Sequence, residues 1–559
     1  MIALPLFTDL DRHFAAFVER FGGSRKAGLA AACLSRAIRE GHICLDLALA
    51  PPPELAAEWL PVEAWREELL ASRAVAAAAP LPKLPEVPLI LDARGRLYLR
   101  RYYLYEQELA AALRQRAACS GGENDGAREG QEAAIAAALQ RRFSVISGGP
   151  GTGKTTTVVK ILTHFILNEP ELRIALAAPT GKAAARMEEA LHEGIRKEPE
   201  LADQPVERLP RAVTLDKLLG SRPNTTVLRH HARNPLPVDL LVVDEASMVA
   251  LPLMAKLFAA LPESSRVILL GDRDQLASVA PGNVLADLAD AAQHPDSPLH
   301  GSLTMLTKNY RFGNESTIYR LCEAIRKGDS DEAVRIVHEP GHADLAFSPL
   351  PPARQLSTAL RQRILEGYGD TLKERDPAKA LEAFNRFRIL AALRQGPFGV
   401  ESLNNMVEGI LREAGWIGPH RIYAGMPILI TQNDHALQLR NGDIGILLPN
   451  PDEPDNPSLW AWFPSKDAPR RLPLVRLPEW EKAYSMTVHK SQGSEFDEVL
   501  LILPDYDVPL LTRELVYTGV TRAKHRVELW ANETLLKLAT RRRTERNTGL
   551  RDALIRPLV

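Results

Sequence analysis

Four groups of polar residues in this chain have types and spacings that could do chemistry together. The first is Ser147-Gly148-Gly149-Pro150-Gly151-Thr152-Gly153-Lys154-Thr155, which fits G-x-x-x-x-G-K-[ST]. Glycines let successive backbone N–H groups close around an anion, and a lysine and a hydroxyl follow where an ammonium can sit between two phosphates and an oxygen can reach a divalent cation. Gly148, Gly149, Pro150, Gly151, Thr152, Gly153, Lys154, Thr155 and Thr156 are therefore expected to cradle a nucleoside triphosphate, with Thr155 on Mg2+. The second is Asp244-Glu245, at the end of the apolar run Leu240-Leu241-Val242-Val243. Asp244 suits the same cation, and Glu245 suits orienting and deprotonating an attacking water. The third is Gln275, four residues past Leu269-Leu270-Gly271, placed to sense the γ-phosphate or the water. The fourth is a pair of arginines, Arg311 and Arg522, able to neutralise charge that builds on a transferring phosphoryl group, an effect worth roughly 10³–10⁵ in rate.

Such side chains work only if secondary structure delivers them to one place. Phe143–Ser147 is a short apolar strand before the glycine-rich loop, and after it Val158, Val159, Ile161, Leu162, Phe165 and Ile166 recur at helical spacing. The runs at 172–178, 239–244 and 266–271 are apolar throughout, as expected of parallel strands buried on both faces. Neighbouring strands would bring loop, carboxylates and glutamine to one carboxyl edge. A second series (387–393, 499–503, 525–530) alternates with helical segments, so the α/β class with two αβα domains in tandem is expected. Between about 422 and 474 the texture changes to strand-like runs split by Asn441-Gly442 and by a proline-rich stretch at 450–457, which reads as a small inserted β-barrel.

The segment before the glycine-rich loop has a different character. Helical patterns run over Lys26–Glu40 and Val62–Ala77, a proline-rich connector follows at 78–88, and two strands flank a turn at Ala93-Arg94-Gly95. Nothing there has catalytic spacing. The expected division is a mostly helical N-terminal partner-docking domain at 1–118, a flexible linker at Ser120–Gly126, a first motor domain at 127–300 and a second at 301–559.

Bulk properties exclude several classes. No run of 18 or more apolar residues exists, and the first residues lack a basic region, so neither a transmembrane helix nor secretion is expected. The four cysteines are far apart with no C-x-x-C pair, which argues against a zinc or iron–sulfur site and for reduced thiols in the cytoplasm. A net charge of −1 leaves nucleic acid open, since a motor needs only a basic groove. Arginines cluster near the end (Arg541, Arg542, Arg543, Arg546, Arg551, Arg556), a pattern that suits a solvated tail and a nucleic-acid contact equally.

Taken in order, the loop at 147–155, Val242–Ser247, Gly271–Leu276, Asn309–Arg311, Thr487–Phe496 and Val516–Ala523 resemble the superfamily 1 DNA helicases. Ala178–Met187, Leu439–Gly445, Arg543–Arg546 and Ala30–Asp46 narrow that resemblance to the RecD family, alpha subunits of RecBCD exonuclease V complexes. The resemblance covers nearly the whole chain. It implies tandem RecA-like P-loop domains, an SH3-like character for the inserted barrel, and ATP hydrolysis in the cleft between the two domains. Gln131 would contact adenine, and Gly493 and Glu495 would face the nucleotide. Thr180, Lys182, Thr487, His489, Lys490 and Ser491 would grip single-stranded DNA through its phosphates. It further implies 5′→3′ translocation, RecB and RecC as partners in a heterotrimer, action at duplex DNA ends in double-strand-break processing, and nuclease activity residing in the complex. The chain departs from the pattern at Asp216, where histidine is common, and at Ala280, where glutamate is common. A stand-alone RecD-like helicase is the alternative, and an ATP-dependent switch that never translocates is the rival from another class.

Overall fold

The computed structural model describes residues 6–118, 128–197, 210–222, 225, 227–311, 313, 316–434, 436–453, 458–465 and 468–556. The linker expected at Ser120–Gly126, Cys119 and part of the proline-rich stretch at 450–457 lie outside them. Two compact units emerge: residues 1–273, 277–308 and 545–559 form the first, and 274–276 with 309–544 form the second.

Within the first unit, residues up to 118 build helices around a four-stranded sheet of order β1-β4-β3-β2, with β1 Cys44–Asp46, β2 Val75–Ala77, β3 Leu89–Leu91 and β4 Arg96–Leu99. Ser24 caps the helix Arg25–Arg39 by accepting from the Ala27 N–H, and that helix stops before Gly41, whose φ is 95°. The β3–β4 hairpin matches the turn expected at Ala93–Gly95: Asp92 Oδ1 accepts from the backbone N–H groups of Arg94 and Arg96. The helix expected over Val62–Ala77 ends instead at Leu70, and Val75–Ala77 pairs in parallel with Leu89–Leu91. Alanine favours helix in isolation, but here pairing with an apolar strand decides the conformation. Most of the described residues in this part of the chain are helical, and a small four-stranded sheet, Val75–Ala77 included, packs with the helices.

The rest of the first unit is a seven-stranded sheet, every pairing of which is parallel. Its strands are β5 Arg128–Glu129, β6 Phe143–Gly148, β7 Ile174–Ala178, β8 Ala212–Thr214, β9 Leu240–Val243, β10 Arg266–Gly271 and β11 Leu303–Leu306, in the order β5-β11-β6-β10-β9-β7-β8. Side chains alternate between two cores. Phe143, Val145, Leu241, Val243, Val267 and Leu269 face one, with the helix Leu251–Ala260 packed there; Ile146, Leu240, Val242, Ile268 and Leu270 face the other, against the helix Lys154–Asn168. Burial of both faces explains why these strands read as unbroken apolar runs.

The second unit holds a parallel five-stranded sheet, β12 Leu345–Pro349, β13 Phe387–Ala391, β19 Ser485–Thr487, β20 Phe496–Ile502 and β21 Ala523–Ala531, in the order β12-β21-β20-β13-β19. Inserted between β13 and β19 is an antiparallel sheet of order β17-β16-β15-β14-β18: β14 Pro427–Ile430, β15 Ile444–Pro449, β16 Leu459–Phe463, β17 Arg470–Pro473 and β18 Trp480–Lys482. The insertion runs to Lys482, beyond the expected end near 474, because β17 and β18 are short and polar and carry no apolar run. Gly442, φ 95°, makes the turn that enters β15. Two parallel-sheet α/β domains in one chain constitute the tandem RecA-like arrangement.

The end of the chain departs from the sequence division. Residues 545–559 belong to the first unit and not to the second domain. Leu550, Ala553 and Leu554 are buried there, Thr548 donates to Glu106 Oε1 at 2.7 Å, and Asp552 Oδ2 lies 2.7 Å from Nη1 of Arg96.

Candidate active site

β6 ends at Gly148, and the loop that follows leads into the helix Lys154–Asn168. Gly151 (φ 79°) and Gly153 (φ 83°) are left-handed, a conformation that favours glycine. A Cβ on Gly148 would meet Thr152 Oγ1 at 2.5 Å and the Leu306 carbonyl at 3.0 Å, so the loop and β11 approach too closely for any side chain. Thr152 Oγ1 donates to the Gly149 carbonyl at 2.8 Å, and Lys154 Nζ donates to the carbonyls of Gly148 and Gly149, so the ammonium lies inside its own loop. Thr155 and Thr156, at the start of the helix, are exposed. Gln131 begins the helix Gln131–Gln140, directly after Gly130, whose N–H donates to Met305.

β10 pairs with β6 on one side and β9 on the other, so Gly148, Gly271 and Val243 end neighbouring strands at one edge. Asp244 follows β9, its N–H bonded to the Ala177 carbonyl at 2.9 Å and its Oδ1 accepting from the Glu245 N–H at 2.8 Å. Glu245 is left-handed (φ 51°, ψ 40°), strain of about 1–3 kcal/mol for a residue with a Cβ. Burial, and then the adjacent Glu245 carboxylate, push the Asp244 carboxyl above its ordinary range, while Lys154 and Arg186 pull it down. An acid held in that state gains from a divalent cation, so Asp244, with the Thr155 hydroxyl at the start of the helix Lys154–Asn168, fits a Mg2+ site. Arg186, in the helix Gly181–Lys197, escaped the sequence reading; it falls one turn after Lys182, and that spacing was the available signal.

Gln275 is buried, and its segment belongs to the second unit. The N–H of Leu276 donates to Thr518 Oγ1 at 2.9 Å, and the Leu276 carbonyl accepts from Gln492 Nε2 at 2.7 Å. β10 thus ends beside β6 and β9, as the strand reading expected, but the segment beyond it, Asp274–Leu276, belongs to the second unit. Gln492 and Thr518 are functional candidates that sequence reasoning passed over, although both stand inside the quoted motifs.

Both arginines are wired to the segment 492–496. Arg311 Nη2 lies 2.5 Å from Glu495 Oε1, and its backbone N–H donates to Asn309 Oδ1 at 2.9 Å. Arg522 is almost wholly buried: Nε donates to the Thr518 carbonyl at 3.0 Å, Nη1 to the Ser494 carbonyl at 3.2 Å and Nη2 to Thr521 Oγ1 at 3.3 Å. The Phe496 N–H returns a bond to the Arg522 carbonyl. Gly493 permits the turn between them, at φ 70°.

The residues read as DNA-facing divide. In the first unit, Thr180 Oγ1 accepts from the Ala183 N–H at the start of the helix Gly181–Lys197, and Lys182 is half-buried. In the second, Thr487 Oγ1 accepts from the Lys490 N–H, His489 is half-buried, and Lys490 Nζ pairs with Glu481 at 2.5 Å. Ser491 departs from expectation. It is fully buried and its hydroxyl donates to the Val488 carbonyl at 2.7 Å, so it shapes the turn rather than facing a strand. Several arginines near the chain end are also held internally: Arg542 by Asp507, and Arg546 by the carbonyls of Gly41, Ser278 and Ala280. Ala280 thus acts through its carbonyl. Asp216 is exposed in the short helix Leu215–Leu219.

Comparison with known proteins shows the family. The family model for the N-terminal domain of RecBCD enzyme subunit RecD matches residues 3–98, an AAA domain model matches 131–281, and a UvrD-like helicase C-terminal domain model matches 482–529. The RecBCD enzyme subunit RecD of Mycolicibacterium smegmatis is 39% identical over 557 residues, covering 94% of this chain and 93% of that protein. The ATP-dependent RecD2 DNA helicase of Deinococcus radiodurans is 31% identical over 476 residues, covering 82% of this chain and 58% of that one. A Pif1 helicase structure from Bacteroides, in complex with ADP-AlF3 and ssDNA, gives a TM-score of 0.38 at 19% identity over 74% of this chain and 93% of that one. With the Mycolicibacterium relative 39% identical along 94% of this chain, the chain belongs to the RecD family of superfamily 1 helicases.

Proposed function

We propose that this chain is the 5′→3′ motor subunit of a RecBCD-type helicase–nuclease, assembled with RecB and RecC in the cytoplasm and acting on duplex DNA ends in double-strand-break processing. That it is an ATP-dependent DNA helicase follows from its family. In our reading Lys154 and the loop Gly148–Thr156 hold the triphosphate, Gln131 meets the adenine, and Thr155 and Asp244 would hold Mg2+, which supplies charge neutralisation between the phosphates. Glu245 activates the water, Gln275 reports the γ-phosphate, and Arg311 and Arg522 neutralise the charge that develops on it. Thr180, Lys182, Thr487, His489 and Lys490 grip the strand. The partner-docking role falls to residues 1–118, and the inserted antiparallel sheet is read as SH3-like.

One observation supports the coupling most directly: Arg522 donates to Ser494 and Arg311 pairs with Glu495, so both arginines hold the segment that follows Thr487–Lys490. A guanidinium drawn to phosphate must change its hold on that segment, and a shift there changes the grip on DNA. The test is unwinding of duplexes with a 5′ or a 3′ tail, with and without RecB and RecC. Unwinding from the 5′ tail alone, enhanced by the partners, is expected; unwinding from the 3′ tail would overturn the polarity. The Deinococcus relative favours a second reading, a stand-alone helicase. A monomer that unwinds DNA and ignores both partners in size-exclusion chromatography would establish it.

A further inference from the structure

Lys490 already carries an anion. Glu481, in β18, places Oε1 2.5 Å from Lys490 Nζ and Oε2 3.6 Å from Arg394 Nη2. A carboxylate between an ammonium and a guanidinium meets the same charges that would hold a phosphate. All three side chains line an open cavity of about 310 Å³, with Thr487, Asn404 and Lys482 on its other walls. Lys482 is engaged elsewhere, 2.5 Å from Glu408, and Arg394 also reaches Glu401 at 3.2 Å. The side chains of Lys490 and Glu481 are 31% and 28% exposed, so the pair is open to solvent and exchangeable.

We infer that Glu481 is a displaceable internal stand-in for a backbone phosphate of single-stranded DNA, and that Arg394 and Lys490 form the phosphate subsite it occupies. The inference rests on the proposed reading of Lys490 as DNA-facing. A strand entering the cavity must evict Glu481 from both cations, so this carboxylate sets how tightly the site takes DNA. Arg394 joins the strand-gripping set through a position that no motif marks.

The test is binding of a fluorescein-labelled oligothymidylate to the full chain by anisotropy. Glu481→Gln should tighten binding by about two- to five-fold at low salt, the scale of an exposed ion pair, and the gain should shrink as salt rises. Lys490→Ala and Arg394→Ala should each weaken binding, and the gain from Glu481→Gln should largely vanish in the Lys490→Ala background. Tighter binding on loss of a contact is not what a merely disturbed structure gives. If Lys490→Ala weakens binding but Glu481→Gln fails to tighten it, the stand-in is wrong while the DNA-facing reading survives. Were Lys490→Ala to leave binding unchanged, both would fall.

Discussion

The two parallel sheets hold their charged residues in opposite ways. In the first, the groups proposed to work on the nucleotide are tied mainly to their own loops. Lys154 bonds two carbonyls of the loop that carries it, Asp244 bonds the next residue's N–H, and Thr155 is exposed. In the second, Arg522 is buried and fixed by three oxygens, and Arg311 is locked to a carboxylate. The first arrangement is suited to exchange, since small local bonds can be traded for a ligand. The second is suited to transmission, since a buried guanidinium cannot shift without moving the backbone it holds.

Lys154→Gln separates the two arrangements most sharply. It should lower DNA-stimulated ATPase by at least about 10³-fold while leaving the fold intact, because the lysine is bonded only within its loop. Steady-state phosphate release and thermal melting would check both halves of that statement. Arg522→Lys should cost about 10³-fold in kcat and, unlike Lys154→Gln, should also lower the melting temperature, since one ammonium cannot satisfy Thr518, Ser494 and Thr521 together. Equal melting temperatures for the two variants would erase the contrast. Glu245→Gln should reduce kcat by about 10²-fold with nucleotide affinity retained, measured by a fluorescent ATP analogue, since it removes the base and not the cradle.

A further effect concerns stability. Glu106 is fully buried, accepts from the Thr548 hydroxyl and the Gly549 N–H, and burial raises its carboxyl to about 7. A carboxyl whose folded pKa is raised binds its proton more tightly when folded. The stability it contributes is fully present below the unfolded value near 4.5 and is lost as pH rises through about 7. Glu106→Gln should flatten that decline, a difference of about 3 kcal/mol between pH 4.5 and 8 in urea unfolding. An unchanged pH profile would show that the docked tail does not depend on this proton.

Legibility in the sequence followed distance along the chain. The strands β6, β7, β9, β10 and β13 and the later halves of β20 and β21 were readable as apolar, largely buried runs, and β14, β15 and β16 by their alternating or apolar runs. The edge strands β12, β17 and β18 were not, being short and half-buried, and Val75–Ala77 was taken for helix because its pairing partner lies in a separate segment. The loop at 148–155 and Asp244-Glu245 could be proposed from sequence because the chemistry read into them depends on local order alone.

By itself, the sequence determined two sheets of buried parallel strands, the residue types at their carboxyl edges, and the family that shares them; these follow from hydrophobic periodicity and from spacings a few residues long. Only the tertiary structure decided that Asp274–Leu276 packs with the second unit, that residues 545–559 return to the first, that Ser491 is buried, and that Glu481 sits on Lys490 and Arg394. The placement of Asp274–Leu276, the return of the chain end and the contact of Glu481 with Arg394 depend on hydrogen bonds or ion pairs between segments far apart in the chain, and no local pattern encodes a partner that only folding brings near.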